Sequence, residues 1–238
     1  MQSQTSLLRI VALCLAGLAS AGARADFPFH IPQYTGTPLM IATGVVTQRT
    51  LNRSLERTTP GGMTRSNTPA TSPSKLLVGS KPAGMPARLA SHFPASARAE
   101  AEHVYLDMLV KHPQLMKQLG VPSDDLASGV ATFLAGSYMA YRDIDFPDRQ
   151  FKPLYEQVRA ILAANPKFGE AGLDERREMF EQMVIIGTYL ALAHEALKQT
   201  PNPRVASDMK VAAKGYLEQF MKLDAERLQL TDQGLTVR

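Results

Sequence analysis

Residues 126–141 (LASGVATFLAGSYMAY) contain no charged side chain, and residues 183–193 (MVIIGTYLALA) repeat that character later in the chain. A helix that is apolar on every side must be enclosed, by protein or by lipid. Both runs fall short of the ~20 residues that a bilayer core requires. Asp124, Asp125 and Arg142 also bracket the first one closely. These two segments are therefore expected to be the central helices of a protein core, and the rest of the fold must cover them. Small residues recur four apart in the first (Ala127, Ala131, Ala135, and Gly136 with Ala140), which lets helix backbones approach closely.

The covering helices are visible in the spacing of apolar residues. Ala101, Val104, Tyr105, Met108 and Leu109 form one stripe of a first helix. Pro113 is expected to interrupt it, with Leu115, Met116 and Leu119 continuing as a short turn that Gly120 closes. Ser123 or Asp124 is the expected cap of the second helix, which runs from about Asp125 to Tyr141. A third spans Phe151 to Ala164, and a fourth spans Asp174 to Lys198 with an acidic start that suits the helix dipole. Pro201 and Pro203 precede a fifth, from about Arg204 to Leu228. The expectation is an all-α fold, a single five-helix bundle over residues 91–238, with short loops and antiparallel neighbours.

Residues 26–90 read differently. Pro28 and Pro32 hold their predecessors extended. Thr58 to Lys75 is rich in Thr, Ser, Pro and Gly and has Met63 as its one large apolar side chain. Such a segment buries too little surface to offset its ordering entropy. We expect a flexible, low-complexity arm and linker. It is basic: seven Lys or Arg stand against Asp26 and Glu56, whereas residues 91–238 hold 17 basic and 20 acidic side chains.

Residues 1–25 have the form of an export signal. Arg9 gives a positive start, Ile10 to Gly22 an apolar stretch, and Ala23-Arg24-Ala25 the pattern that a signal peptidase cuts before Asp26. Leu13 before Cys14 is the wrong neighbour for a lipid-acceptor cysteine. Cleavage after Ala25 removes the single cysteine, so the mature chain has neither a disulfide nor a thiolate metal site. It also lowers the net charge from +4 to +2. That balance argues against nucleic acid as a partner. A periplasmic or secreted protein without a transmembrane segment in its mature chain is the expectation.

The residues that could carry chemistry are scattered. The two Glu-x-x-His pairs of a di-metal carboxylate bundle are not present. No two of the five histidines (His30, His92, His103, His112, His194) stand four apart, so zinc has no local nucleus. Asp143, Asp145 and Asp148 form an acidic loop, but the calcium-loop pattern fails: Asp148 stands where it needs glycine and Leu154 where it needs glutamate. A Gly-x-Ser-x-Gly elbow is missing as well. We therefore expect no catalytic residue, no metal and no cofactor. Two features remain as candidates for ligand binding. His194 falls on the apolar stripe of the fourth helix, and Arg177, Glu178 and Glu181 belong to the charged run that opens it. The bland reading of the first is a core histidine, and of the second a solvated first turn.

The helical half also has a likeness. Residues 89–98 (LASHFPASAR), 119–141 (LGVPSDDLASGVATFLAGSYMAY), 175–187 (ERREMFEQMVIIG) and 228–235 (LQLTDQGL) resemble segments of an uncharacterised family of exported bacterial proteins, known as a domain of unknown function. The resemblance covers about residues 88–236 and implies an all-helical exported body; it transfers no catalytic residue. The function expected on these grounds is a non-enzymatic binding protein of the bacterial envelope, meeting a protein or envelope partner through the basic arm. The alternative is a small-ligand binder or enzyme with a cleft near His194 and the start of the fourth helix. Oligomeric state is open at this level.

Overall fold

A computed structural model describes residues 76–165, 168 and 170–238. The segment read as a leader, with the expected cleavage positions Ala23, Ala25 and Asp26, and the expected arm as far as residue 75, lie outside the described residues. Among those described, the chain forms α1 (Met85–Ala90), α2 (Arg98–Leu119), α3 (Leu126–Arg142), α4 (Asp148–Ala163), α5 (Leu173–Gln199) and α6 (Pro203–Met221), then a two-stranded sheet of β1 (Leu228–Thr231) and β2 (Gly234–Val237). The fold is mostly helical, as the periodicity requires. No helix among the described residues is long and apolar enough to cross a membrane.

The two uncharged segments are the centre. Every residue of α3 from Leu126 to Tyr141 is buried, and α5 is buried without a break from Met179 to Gly187. Their contact is the largest in the molecule, and α2, α4 and α6 pack around them. Glycine makes the crossing possible. A Cβ on Gly136 would lie 2.0 Å from the Gly187 carbonyl oxygen, and one on Gly187 would lie 2.3 Å from the Thr132 carbonyl oxygen. The backbones thus meet directly, which only a residue without a side chain allows.

Four details differ from the sequence reading. First, residues 76–90, read there as the end of the arm, pack on the bundle: Leu76, Met85, Leu89 and Ala90 are buried. Met85 and Leu89 are one helical turn apart, and burying side chains of this size stabilises by ~1.5–3 kcal/mol each. Second, α2 runs straight through Pro113. The lost amide bond costs about 3 kcal/mol in an isolated helix, but Met108, His112 and Met116 are all buried on the same face and hold both halves in line. Gly120 does close the helix, at φ 69°. Third, the cap of α3 is Asp125, whose carboxylate accepts the Ser128 amide at 2.9 Å and the Tyr155 hydroxyl at 2.7 Å.

Fourth, the last helix stops at Met221, not at Leu228. Lys222 takes a left-handed conformation at φ 55° and ends it. Leu228 instead begins a hairpin in which Leu228 pairs with Val237 and Leu230 with Leu235. The segment alternates apolar and polar residues, the period of a strand. Gly234, at φ 107°, opens β2 next to the turn at Asp232 and Gln233. Two side chains dock this hairpin. Gln157 of α4 donates to the Leu235 carbonyl at 2.6 Å and accepts its amide at 3.0 Å, in the manner of a neighbouring strand. Arg142, at the end of α3, donates through Nη2 to the carbonyls of Ala225, Glu226 and Leu228.

Candidate functional site

The close approach of α3 and α5 leaves room beside it. Gly136 and Gly187, with Ala135 and Ala191, present little side-chain bulk, and a cleft opens there between α2, α3, α5 and the start of α4. Its cavity volume is about 80 Å³, and it opens to solvent. Met108, Leu115 and Leu119 of α2 form one wall, Met139 of α3 and Leu192 of α5 another, and Phe146 and Phe151 a third. The lining is almost wholly apolar. Lys111 and Asp148 carry its charge, and Thr132, Thr188 and His112 are its uncharged polar side chains.

His112 is the unusual group. It is 2% exposed. Its Nε2 lies 3.2 Å from Thr132 Oγ1, and that hydroxyl gives its proton to the Ser128 carbonyl at 2.8 Å. The hydroxyl can then only accept from the ring, so Nε2 carries the hydrogen and Nδ1 is a bare acceptor. Nδ1 has no hydrogen-bond partner. Burial, and secondarily the positive charge of Arg177, pulls the imidazole pKa down to about 3. The ring is neutral at any physiological pH and packs edge-on against Phe180, with centroids 5.3 Å apart. So weak a base does not deprotonate a hydroxyl at neutral pH. What it can do is accept one hydrogen bond inside an apolar cleft.

Arg177, Glu178 and Glu181 have partners within the protein. Glu181 is fully buried and accepts from the amides of Ala83 (3.0 Å) and Met85 (3.3 Å), which caps the start of α1. Arg177 donates to Glu181 at 2.7 Å and to the Gly79 carbonyl at 3.3 Å. Glu178 pairs with Arg88 at 2.9 Å. The charged run at the start of α5 thus holds residues 79–88 against the body.

His194, 2% exposed, lies two residues beyond Leu192, where the cleft lining ends on α5. Its neighbours are the acidic loop: Nδ1 is 3.5 Å from Asp143 Oδ1 and Nε2 is 3.6 Å from Asp145 Oδ1. Lys198 bridges Asp145 and Glu195. The sequence reading singled out His194 and the acidic loop separately, and the fold brings them together. Lys198 holds the Asp145 carboxyl below the usual range. Asp148 sits apart from this group, and burial raises its pKa.

A family model described as a family of unknown function (DUF6683) matches residues 5–238. The chain belongs to that family. The match takes in most of residues 1–75 as well as the helical body. Neither the curated proteins nor the solved structures contain a match to this member of the family.

The sequence reading passed over His112. Its signal was present: Tyr105, Met108, His112 and Met116 share one face of α2, at spacings of three, four and four. Pro113 hid it, because a helix taken to break at residue 113 leaves His112 at a frayed end instead of on a continuing buried stripe.

Proposed function

We propose that this protein is an exported, non-enzymatic binding protein of the bacterial envelope, and that its helical body takes up a small apolar molecule bearing one hydrogen-bond donor. The observation that carries the reading is the cleft between α2, α3, α4 and α5, apolar on its walls and lined in part by the neutral His112, whose Nδ1 has no hydrogen-bond partner in the protein. Ligand sites are typically of this make-up, apolar with few polar groups that fix orientation. The matching ligand class is an aliphatic or aromatic body with a hydroxyl, amide N–H or protonated carboxyl. A buried acceptor left unpaired costs ~1–3 kcal/mol, which such a ligand recovers. The leader in residues 1–25 supports export, and the basic arm offers a separate contact for a protein or an anionic envelope surface, with salt-sensitive affinity.

N-Phenyl-1-naphthylamine, whose fluorescence rises in apolar surroundings and which carries one N–H, is the direct probe. The full chain should bind it with one site. Ala191→Trp, which fills the cleft from a half-buried position, should abolish the signal, and Val211→Trp, on the exposed face of α6, should leave it intact. No binding by the native chain, or equal binding by Ala191→Trp, rejects the reading.

A further inference from the structure

The geometry points to a divalent transition-metal site, of the kind that takes Zn²⁺, formed by His194, Asp145 and Glu195, with Asp143 orienting the imidazole. One ligand atom from each of these three residues lies within 4.8 Å of the others. Two come from consecutive residues of one helix, His194 and Glu195 on α5, and the third from the loop after α3. The inference does not rest on the cleft, and each can fail alone.

An acidic cluster is not a site by itself. The second observation is the histidine. His194 is 2% exposed, and its Nε2 has no hydrogen-bond partner although it faces Asp145 at 3.6 Å. A buried polar nitrogen left unpaired is a cost that protein interiors rarely carry. On the other side of the ring, Nδ1 faces Asp143 at 3.5 Å. Metal-binding histidines commonly place one nitrogen on the ion and give the other N–H to a carboxylate, which fixes tautomer and ring orientation. His194 has that arrangement already.

Charge and geometry agree. Asp145 and Glu195 both contact the Lys198 ammonium, and Asp143 adds a third negative group on the other side of the His194 ring. Lys198 stands in the last turn of α5 on a long stem and is 40% exposed, so it can leave without disturbing the core. It occupies the place of the ion. Ligand bonds of 2.0–2.2 Å put tetrahedral ligand atoms about 3.4 Å apart. His194 Nε2 and Asp145 Oδ1, 3.6 Å apart, already stand close to that spacing, and Asp145 is an exposed loop side chain. One imidazole with two carboxylates suits zinc and its neighbours, and a fourth position is left for water. Calcium, which takes six to eight oxygen ligands, does not suit an imidazole site. A bound ion would tie the loop that carries Phe146, a wall of the cleft, to the end of α5.

The test is calorimetric titration of the full chain with Zn²⁺, and separately with Ca²⁺, in buffer free of chelators. One equivalent of Zn²⁺ should bind, with Ca²⁺ much weaker. Asp143→Asn should lose about 10- to 100-fold in affinity, the range for a carboxylate that orients a ligating histidine. Asp145→Asn and Glu195→Gln should lose more; both keep the size of the side chain, and Asp145 is exposed while Glu195 is part-buried. Lys198→Met removes the competing cation and should tighten binding. The inference is overturned by absence of Zn²⁺ binding, by equal affinity for Ca²⁺, by Zn²⁺ affinity unchanged in Asp145→Asn and Glu195→Gln, or by weaker binding in Lys198→Met.

Discussion

Gly136 and Gly187 decide how near the two central helices can come. A methyl group at either position would overlap backbone that has nowhere to go, because the contact is helix against helix and not a flexible side chain. Overpacking of a tight core costs about 1–3 kcal/mol, and more where backbone must move. Gly187→Ala should therefore destabilise by about 3 kcal/mol, read as a lower midpoint in urea with little change of slope. Glu181 is the second residue whose role is local and strict. Breaking a buried ion pair by removing one partner costs ~3–5 kcal/mol. Glu181→Ala leaves Arg177 Nε and the amides of Ala83 and Met85 without their acceptor, and should cost that much, whereas Glu178→Ala, at a part-exposed pair, should cost below about 1 kcal/mol. Equal effects at the two positions would contradict the roles given to them.

Among the elements, the legible ones are those whose signal is local. α3 and α5 were readable because an uncharged run too short to span a bilayer has to be enclosed by the rest of the chain. Their ends fell within a residue or two of the expected ones, for Asp125 and Arg142 mark the first and Thr200 with Pro201 the second. The C-terminal hairpin was not readable as a strand pair beside a helix of similar apolar content. Leu223 and Leu228 extend the stripe of α6 on paper, and the stop at Lys222 rests on a left-handed residue that is not glycine. The hairpin also depends on partners far away in sequence, Arg142, Gln157 and the Tyr138 hydroxyl, which accepts the Leu230 amide at 3.2 Å. Arg142→Ala removes three carbonyl contacts, and bonds to charged donors contribute ~1.5–3 kcal/mol. Faster amide exchange confined to residues 225–238, with α3 and α5 still protected, is the expected outcome. The candidate site was legible only in pieces for the same reason. His194 and the 143–148 loop meet through tertiary packing, which no local period encodes.

For the molecule as a whole, the buried neutral imidazole of His112 sets a pH dependence. Its pKa is near 3 in the folded protein and about 6.5 in the unfolded chain. Above 6.5 neither state takes the proton and stability is unaffected. As pH falls below 6.5 the unfolded chain binds a proton that the folded one refuses, so stability drops by up to about 1.4 kcal/mol per pH unit toward pH 3. Carboxylates add their own terms at the acid end, so the informative quantity is a difference. His112→Gln should flatten the loss between pH 6.5 and 5 relative to the native chain, in urea titrations at fixed salt. The same ring reports on the proposed ligand. With ¹⁵N-labelled histidine, Nδ1 and Nε2 of His112 can be followed while decanol, an apolar chain with one hydroxyl, is added. The account predicts that Nδ1 moves upfield as it accepts the hydroxyl proton, saturating at one decanol per chain, while Nε2 stays hydrogen-bonded to Thr132. Decanol binding with both His112 nitrogens unmoved, or no binding at all, would contradict it.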